Sequence, residues 1–134
     1  MQEKSKLRIH VIGGARPNFI KIAPLLNLLD KNKKFATKFI NTGQHHNFRL
    51  YNKILKDLGM RSPDVDLSVG SSSGITQFSK IIYRYEKYLK KNIPDLVIVF
   101  GDVNSTLATA LTAKKMGIKI AHVEAGLRCY DDCL

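Results

Sequence analysis

Two carboxylates stand out in this chain: Asp102, within FGDVNST, and Glu124, within HVEAGLR. Each follows a short apolar run, Asp95–Phe100 and Ile118–Val123, and a helical stretch over Asn104–Met116 separates the two runs. That order puts both acids at the carboxyl ends of neighbouring parallel strands, the edge where open α/β sheets bind their ligands. A pair of carboxylates there suits proton transfer or sugar binding.

Other polar groups collect at the same edge. In GGARPNFIK, Gly13 and Gly14 end a strand and a helix begins at once, with Arg16 and Lys21 near its start. Glycines let a ligand approach the backbone, and a helix start offers free N–H groups to an anion. The segment therefore suits a phosphate or diphosphate; a plain glycine turn with surface charges fits the same spacing. Neither GxGxxG nor GxxxxGK[ST] occurs, so no dinucleotide fingerprint and no P-loop is present. The motif TGQHH, Thr42–His46, directly follows the second strand. Its Gln44 and His45 can hydrogen-bond a sugar or phosphate, or serve as loop residues. Asn104, Ser105 and Thr106 stand at a helix start, as caps or as ligand donors. Arg128 can pair with Glu124 or with an anionic substrate, and the small Ala125 and Gly126 leave room beside the carboxylate. His122 alternates with buried residues and is expected to be hydrogen-bonded within the core.

The elements that must hold these groups follow from the apolar pattern. Leu7–Ile12 is a strand closed by the glycine turn. PNFIKIAPLLNLLDKNKK is a helix packed on a sheet, with Pro17 suited to its first turn. Pro24 deletes the backbone bond to Ile20 and should kink it. Phe35–Asn41 is the second strand, and Asn47–Leu58 a helix stopped by Gly59. Asp64–Val69 is extended, Ser71–Gly74 is a polar connector, and Ile75–Lys91 is a helix whose buried stripe is Ile81, Ile82, Tyr85, Tyr88 and Leu89. The Pro94–Val123 unit completes the alternation, with two buried strands. Strands alternating with helices of this size specify an α/β fold, a Rossmann-like parallel sheet flanked by helices. Four strands are firm, so edge strands are expected to lack partners.

Composition narrows the function classes. At 134 residues and 44% hydrophobic content the chain is one domain, residues 1–134, with an ordinary core. The net charge of +11 invites nucleic acid. The lysines, however, are spread over helix faces and ends without interleaved aromatics, which favours a solvated surface that also helps an anionic small substrate. No apolar run approaches the ~18–20 residues that span a bilayer. No signal-peptide pattern precedes the first strand, so a cytoplasmic setting is expected. Cys129 and Cys133 have no matching pair and read as incidental thiols rather than a metal site.

GGARPNFIKIAPL, TGQH, SPDVDL, the GD of FGDVNST and HVEAGLR, in this order, resemble the N-terminal domain of the non-hydrolysing UDP-N-acetylglucosamine 2-epimerases over nearly the whole chain. The resemblance implies the first half of a two-domain GT-B-like fold, with a UDP-sugar in the cleft between two Rossmann-like halves. It implies inversion at C2 of UDP-GlcNAc, giving UDP-ManNAc for cell-surface polysaccharide precursors, with no NAD and no metal. It implies that Asp102 and Glu124 serve acid–base and elimination steps, that Arg16, Lys21 and Arg128 bind substrate, and that Gln44 and His45 lie near a regulatory UDP-GlcNAc site. Family members are typically homodimers. Asn18 stands where the family commonly has glutamate and Ala15 where it has threonine; both are taken as subfamily variation. The PEE segment and the UDP-binding second domain have no counterpart in these 134 residues. The domain is therefore expected to be incomplete at its C-terminus, inactive alone, and prone to marginal stability or self-association. Alternatives are an epimerase of a related UDP-2,3-diacetamido sugar and a non-catalytic nucleotide-binding remnant.

Overall fold

The computed structural model describes residues 5–43 and 48–126. Strands and helices alternate throughout: β1 (Leu7–Gly13), α1 (Arg16–Lys31), β2 (Phe35–Asn41), α2 (Phe48–Asp57), β3 (Val65–Asp66), α3 (Gly74–Leu89), β4 (Leu96–Phe100), α4 (Asn104–Lys115) and β5 (Lys119–Val123). All five strands pair in parallel, in the order β3-β2-β1-β4-β5. The extended stretch expected from Asp64 to Val69 contains the short edge strand β3.

Period-two alternation explains the layers. Ile9, Val11, Ile98 and Phe100 pack with Phe19, Ile22 and Leu26 of α1 and with Tyr51 and Leu55 of α2. Val97, Val99, Ile12 and Ile40 pack with Ile81, Tyr85 and Leu89 of α3 and with Ala108 and Ala113 of α4. A sheet covered on both faces needs continuous apolar runs, as β4 supplies; β1 departs from one at Arg8 and His10. Helix α4 looks too polar for its burial, but Thr109 and Thr112 donate their hydroxyls to the carbonyls of Ser105 and Ala108, at 2.5 and 2.7 Å. A buried threonine satisfied in this way packs as a small apolar residue would.

Pro24 lies inside α1, which runs without interruption from Arg16 to Lys31. It leaves the Ile20 carbonyl without its helical N–H partner, on a residue that is 63% exposed. β5 is not a buried strand: only Ile118, just before it, is fully buried, because β5 is the sheet's edge. His122 on it is exposed, not a core residue. In the α3 stripe, Ile81, Tyr85 and Leu89 are buried, while Ile82 and Tyr88 are half-buried.

The charge distribution also has a structural account. Lys31, Lys56, Lys87, Lys114 and Lys115 occupy the last turns of the four helices, and none of their first turns holds an acid. Cations at helix C-termini complement the macrodipole. Among the described residues no helix is long and apolar enough to cross a membrane.

One polar group is built into the core on the α3 side. His10 of β1 is 3% exposed, and its Nδ1 lies 3.0 Å from the Tyr85 hydroxyl. Burial, with Lys38 and Arg8 adjacent, lowers the imidazole to about 4. The folded ring is neutral, whereas the unfolded one takes up a proton near 6.5. Its stabilising contribution is therefore complete above pH 6.5 and is lost as pH falls towards 4, by about 3 kcal/mol at the end of that window. Urea midpoints measured between pH 7 and pH 5 should fall, and His10→Gln should flatten the fall. An equal slope in both proteins would refute this assignment.

Candidate active-site edge

Parallel topology brings the carboxyl ends of the strands and the starts of the following helices to one edge. Glycine permits the closest approach there. A Cβ on Gly14 would lie 2.6 Å from both Thr42 Oγ1 and Ser105 Cβ, so the ends of β1 and β2 and the start of α4 meet with no room for a side chain. Gly13 accepts a backbone bond from Thr42 N at 2.9 Å, which fixes the β1 and β2 ends. Gly101 turns the chain out of β4 at φ 66°, in the left-handed region that favours glycine.

Beyond Gly101, Asp102 is exposed, without an ion pair or side-chain hydrogen bond among the described residues. Glu124 follows β5, whose Val123 is in register with Phe100 of β4. The two carboxylates thus leave adjacent strand ends, as their spacing requires. Glu124 holds φ 62°, which is uncommon for a residue with a side chain. Its carboxylate pairs with the Lys21 ammonium of α1. Arg128, the partner suggested by sequence, lies outside the described residues, as do Gln44, His45 and both cysteines. Arg16 is exposed at the first position of α1 and has no carboxylate partner among the described residues.

The β4 and β5 ends are tied together. Gly101 N–H donates to the Val123 carbonyl at 3.0 Å, and His122 Nε2 lies 2.6 Å from the Gly101 carbonyl. A carbonyl only accepts, so Nε2 carries the proton. From the opposite side Asn18 Nδ2 donates to the Phe100 carbonyl at 3.3 Å, and Thr106 Oγ1 donates to the same oxygen. Asn18 is 4% exposed and is buried against the end of β4. The expected capping is also corrected. Val103 is the N-cap of α4, with no side-chain cap bond, while Asn104 Nδ2 donates to Gln77 Oε1 of α3 at 3.1 Å. α1 likewise begins at Ala15 without a side-chain cap. Two helix starts therefore reach the edge with uncapped, acid-free first turns, the arrangement that receives anionic oxygens.

Sequence reasoning missed three contributors. Asn18 was taken only as subfamily variation, although it stands in the first turn of α1, directly after Pro17. His122 was read as a core residue. The Thr42 hydroxyl is buried with no hydrogen-bond partner among the described residues. Nothing in the sequence marked it beyond its neighbours in TGQHH.

Known proteins share both sequence and architecture with this chain. The family model for UDP-N-acetylglucosamine 2-epimerase matches residues 27–133. A Methanococcus maripaludis UDP-N-acetylglucosamine 2-epimerase homolog is 43% identical over 93% of this chain and 34% of its own length. A Pseudomonas aeruginosa UDP-2,3-diacetamido-2,3-dideoxy-D-glucuronate 2-epimerase is 34% identical over 93% of this chain and 35% of its own. The crystal structure of Methanocaldococcus jannaschii UDP-GlcNAc 2-epimerase in complex with UDP-GlcNAc and UDP superposes with a TM-score of 0.88 at 38% identity, over 93% of this chain and 34% of that one. The chain thus spans about a third of the length of the relatives it matches. With a family model matched over residues 27–133 and relatives aligned along nearly all of its length, the chain belongs to the UDP-N-acetylglucosamine 2-epimerase family.

Proposed function

We propose that this chain forms the N-terminal wall of a UDP-sugar cleft and, joined to a second nucleotide-binding domain, interconverts UDP-GlcNAc and UDP-ManNAc. The observation that supports this reading is that Asp102 and Glu124 directly follow the paired ends of β4 and β5, with Glu124 paired to Lys21. A base takes the C2 proton, the C1–O bond to the diphosphate breaks, and UDP leaves 2-acetamidoglucal. Return of UDP to C1 and of a proton to the other face of C2 restores the sugar with inverted configuration. The two carboxylates are proposed as the acid–base groups. Arg16, Lys21 and the acid-free starts of α1 and α4 stabilise the departing diphosphate. The cytoplasm is the proposed setting, where the nucleotide sugar is at hand.

The test is to incubate the complete protein with UDP-GlcNAc in deuterated water. Deuterium at C2 of both epimers, with UDP-ManNAc accumulating, is the expected result. Absence of both exchange and epimer sinks the proposal. The Pseudomonas aeruginosa relative favours one second reading, a UDP-2,3-diacetamido uronic acid as substrate, and the same assay on that sugar decides between them.

A further inference from the structure

At the opposite edge of the sheet, away from the sugar-nucleotide side, lies a hollow of about 280 Å³. Its wall draws on the amino-terminal parts of β1 and β2 and on the C-terminal end of α3, and includes Arg8, His10, Lys38, Tyr88, Lys91 and Ile93. Cations reach it from three separate elements or their ends. Arg8 has a carboxylate neighbour, Asp95, at 3.5 Å; Lys38 and Lys91 have none among the described residues. No carboxylate lines the hollow.

The floor is not a plain surface. His10 is buried there, engaged through Nδ1 with Tyr85, while its Nε2 has no partner among the described residues. The Tyr88 ring stands 5.4 Å from the imidazole, centroid to centroid. Lysines at a helix C-terminus are ordinarily explained by the macrodipole, and that accounts for Lys87 and Lys90. It does not account for Lys38, on a strand, converging with Arg8 on a buried imidazole. Nor are the carbonyls of the last α3 turn left open: the Tyr88 carbonyl accepts from Lys91 N, Asn92 N and Asn92 Nδ2.

We propose that this hollow is a second binding site, for a small anion with a flat apolar body, such as a phosphorylated or carboxylated ring. The anionic head lies between Lys38 and Lys91 within reach of His10 Nε2, and the ring lies against Tyr88 and Ile93. The volume suits a single ring with one charged group rather than a nucleotide, being at the small end of ligand pockets. Because the site shares no lining residue with Asp102 and Glu124, its ligand does not compete with UDP for the same groups.

The probe is phenyl phosphate, titrated into the complete protein while the His10 ring resonance, assigned with His10→Gln, is followed by NMR. A saturable shift is expected. Lys38→Met and Lys91→Met should each weaken binding about tenfold, as loss of a charge-assisted contact does. Lys87→Met, on the same helix end but outside the hollow, should leave it unchanged. Phenol and inorganic phosphate should each bind more weakly than phenyl phosphate, and saturating UDP should not displace it. Three results overturn the proposal: no saturable shift up to about 10 mM, too weak for a specific site; equal weakening by Lys87→Met, which marks diffuse charge; or displacement by UDP, which assigns the binding to the other edge.

Discussion

Asp102→Asn is expected to lower turnover of UDP-GlcNAc by the complete enzyme about 10²–10⁴-fold, the range for losing an acid–base group. Thermal stability should not change. The side chain is exposed, and no contact among the described residues depends on it. Glu124→Gln should lower turnover by a similar factor but carry a second signature. It removes the Lys21 ion pair and leaves a left-handed residue without the contact that fixes its side chain. Lys21→Met should therefore reproduce part of the Glu124→Gln loss and none of the Asp102→Asn loss. Single-turnover rates with matched melting curves separate these effects. If Asp102→Asn keeps full turnover, the acid–base assignment fails at that position. If both Asp102→Asn and Glu124→Gln keep it, the chemistry lies elsewhere.

The second large effect is steric. Gly14→Ala should destabilise the fold by about 1–3 kcal/mol, the cost of overpacking a close contact. The new Cβ would meet Thr42 Oγ1 and Ser105 Cβ at 2.6 Å, and neither neighbour can swing away, since both are buried. Ser105→Gly in the same chain should recover part of the loss, because it vacates one of the two clashing positions. Urea unfolding of the two single variants and the double variant forms a cycle that reads the coupling directly. An additive double variant would mean that Gly14 is needed for another reason.

Much of the architecture was legible because it rests on short-range patterns. β2 runs from Phe35 to Asn41 as expected, α3 and α4 begin and end within two residues of the expected positions, and α1 ends three residues early. The errors arose where tertiary context decides. β5 resembles a central strand in composition, yet its place at the sheet edge leaves Val123 38% exposed. The site was legible as residue types at strand ends and illegible as partners. Sequence placed Glu124 near a cation but could not choose Lys21, since that choice depends on how α1 packs on the sheet beside β4. Asn18, Thr106 and His122 act on backbone carbonyls, and such bonds leave no complementary residue to find in the sequence.

The strand order has a consequence for the chain's assembly during synthesis. β1 finds one neighbour soon, with Leu7 paired to Phe35, but its other neighbour late, with Ile9 paired to Leu96. At about 5–20 residues per second, the 87 residues from His10 to Leu96 take roughly 4–17 s to be made. Throughout that interval the central strand of the sheet presents one unpaired edge beside the ribosome. The half-built β1-α1-β2 unit is thus an open template for strand addition by another nascent chain. Its protection then depends on the speed of elongation through α3 and on whatever chaperone shields it until β4 emerges.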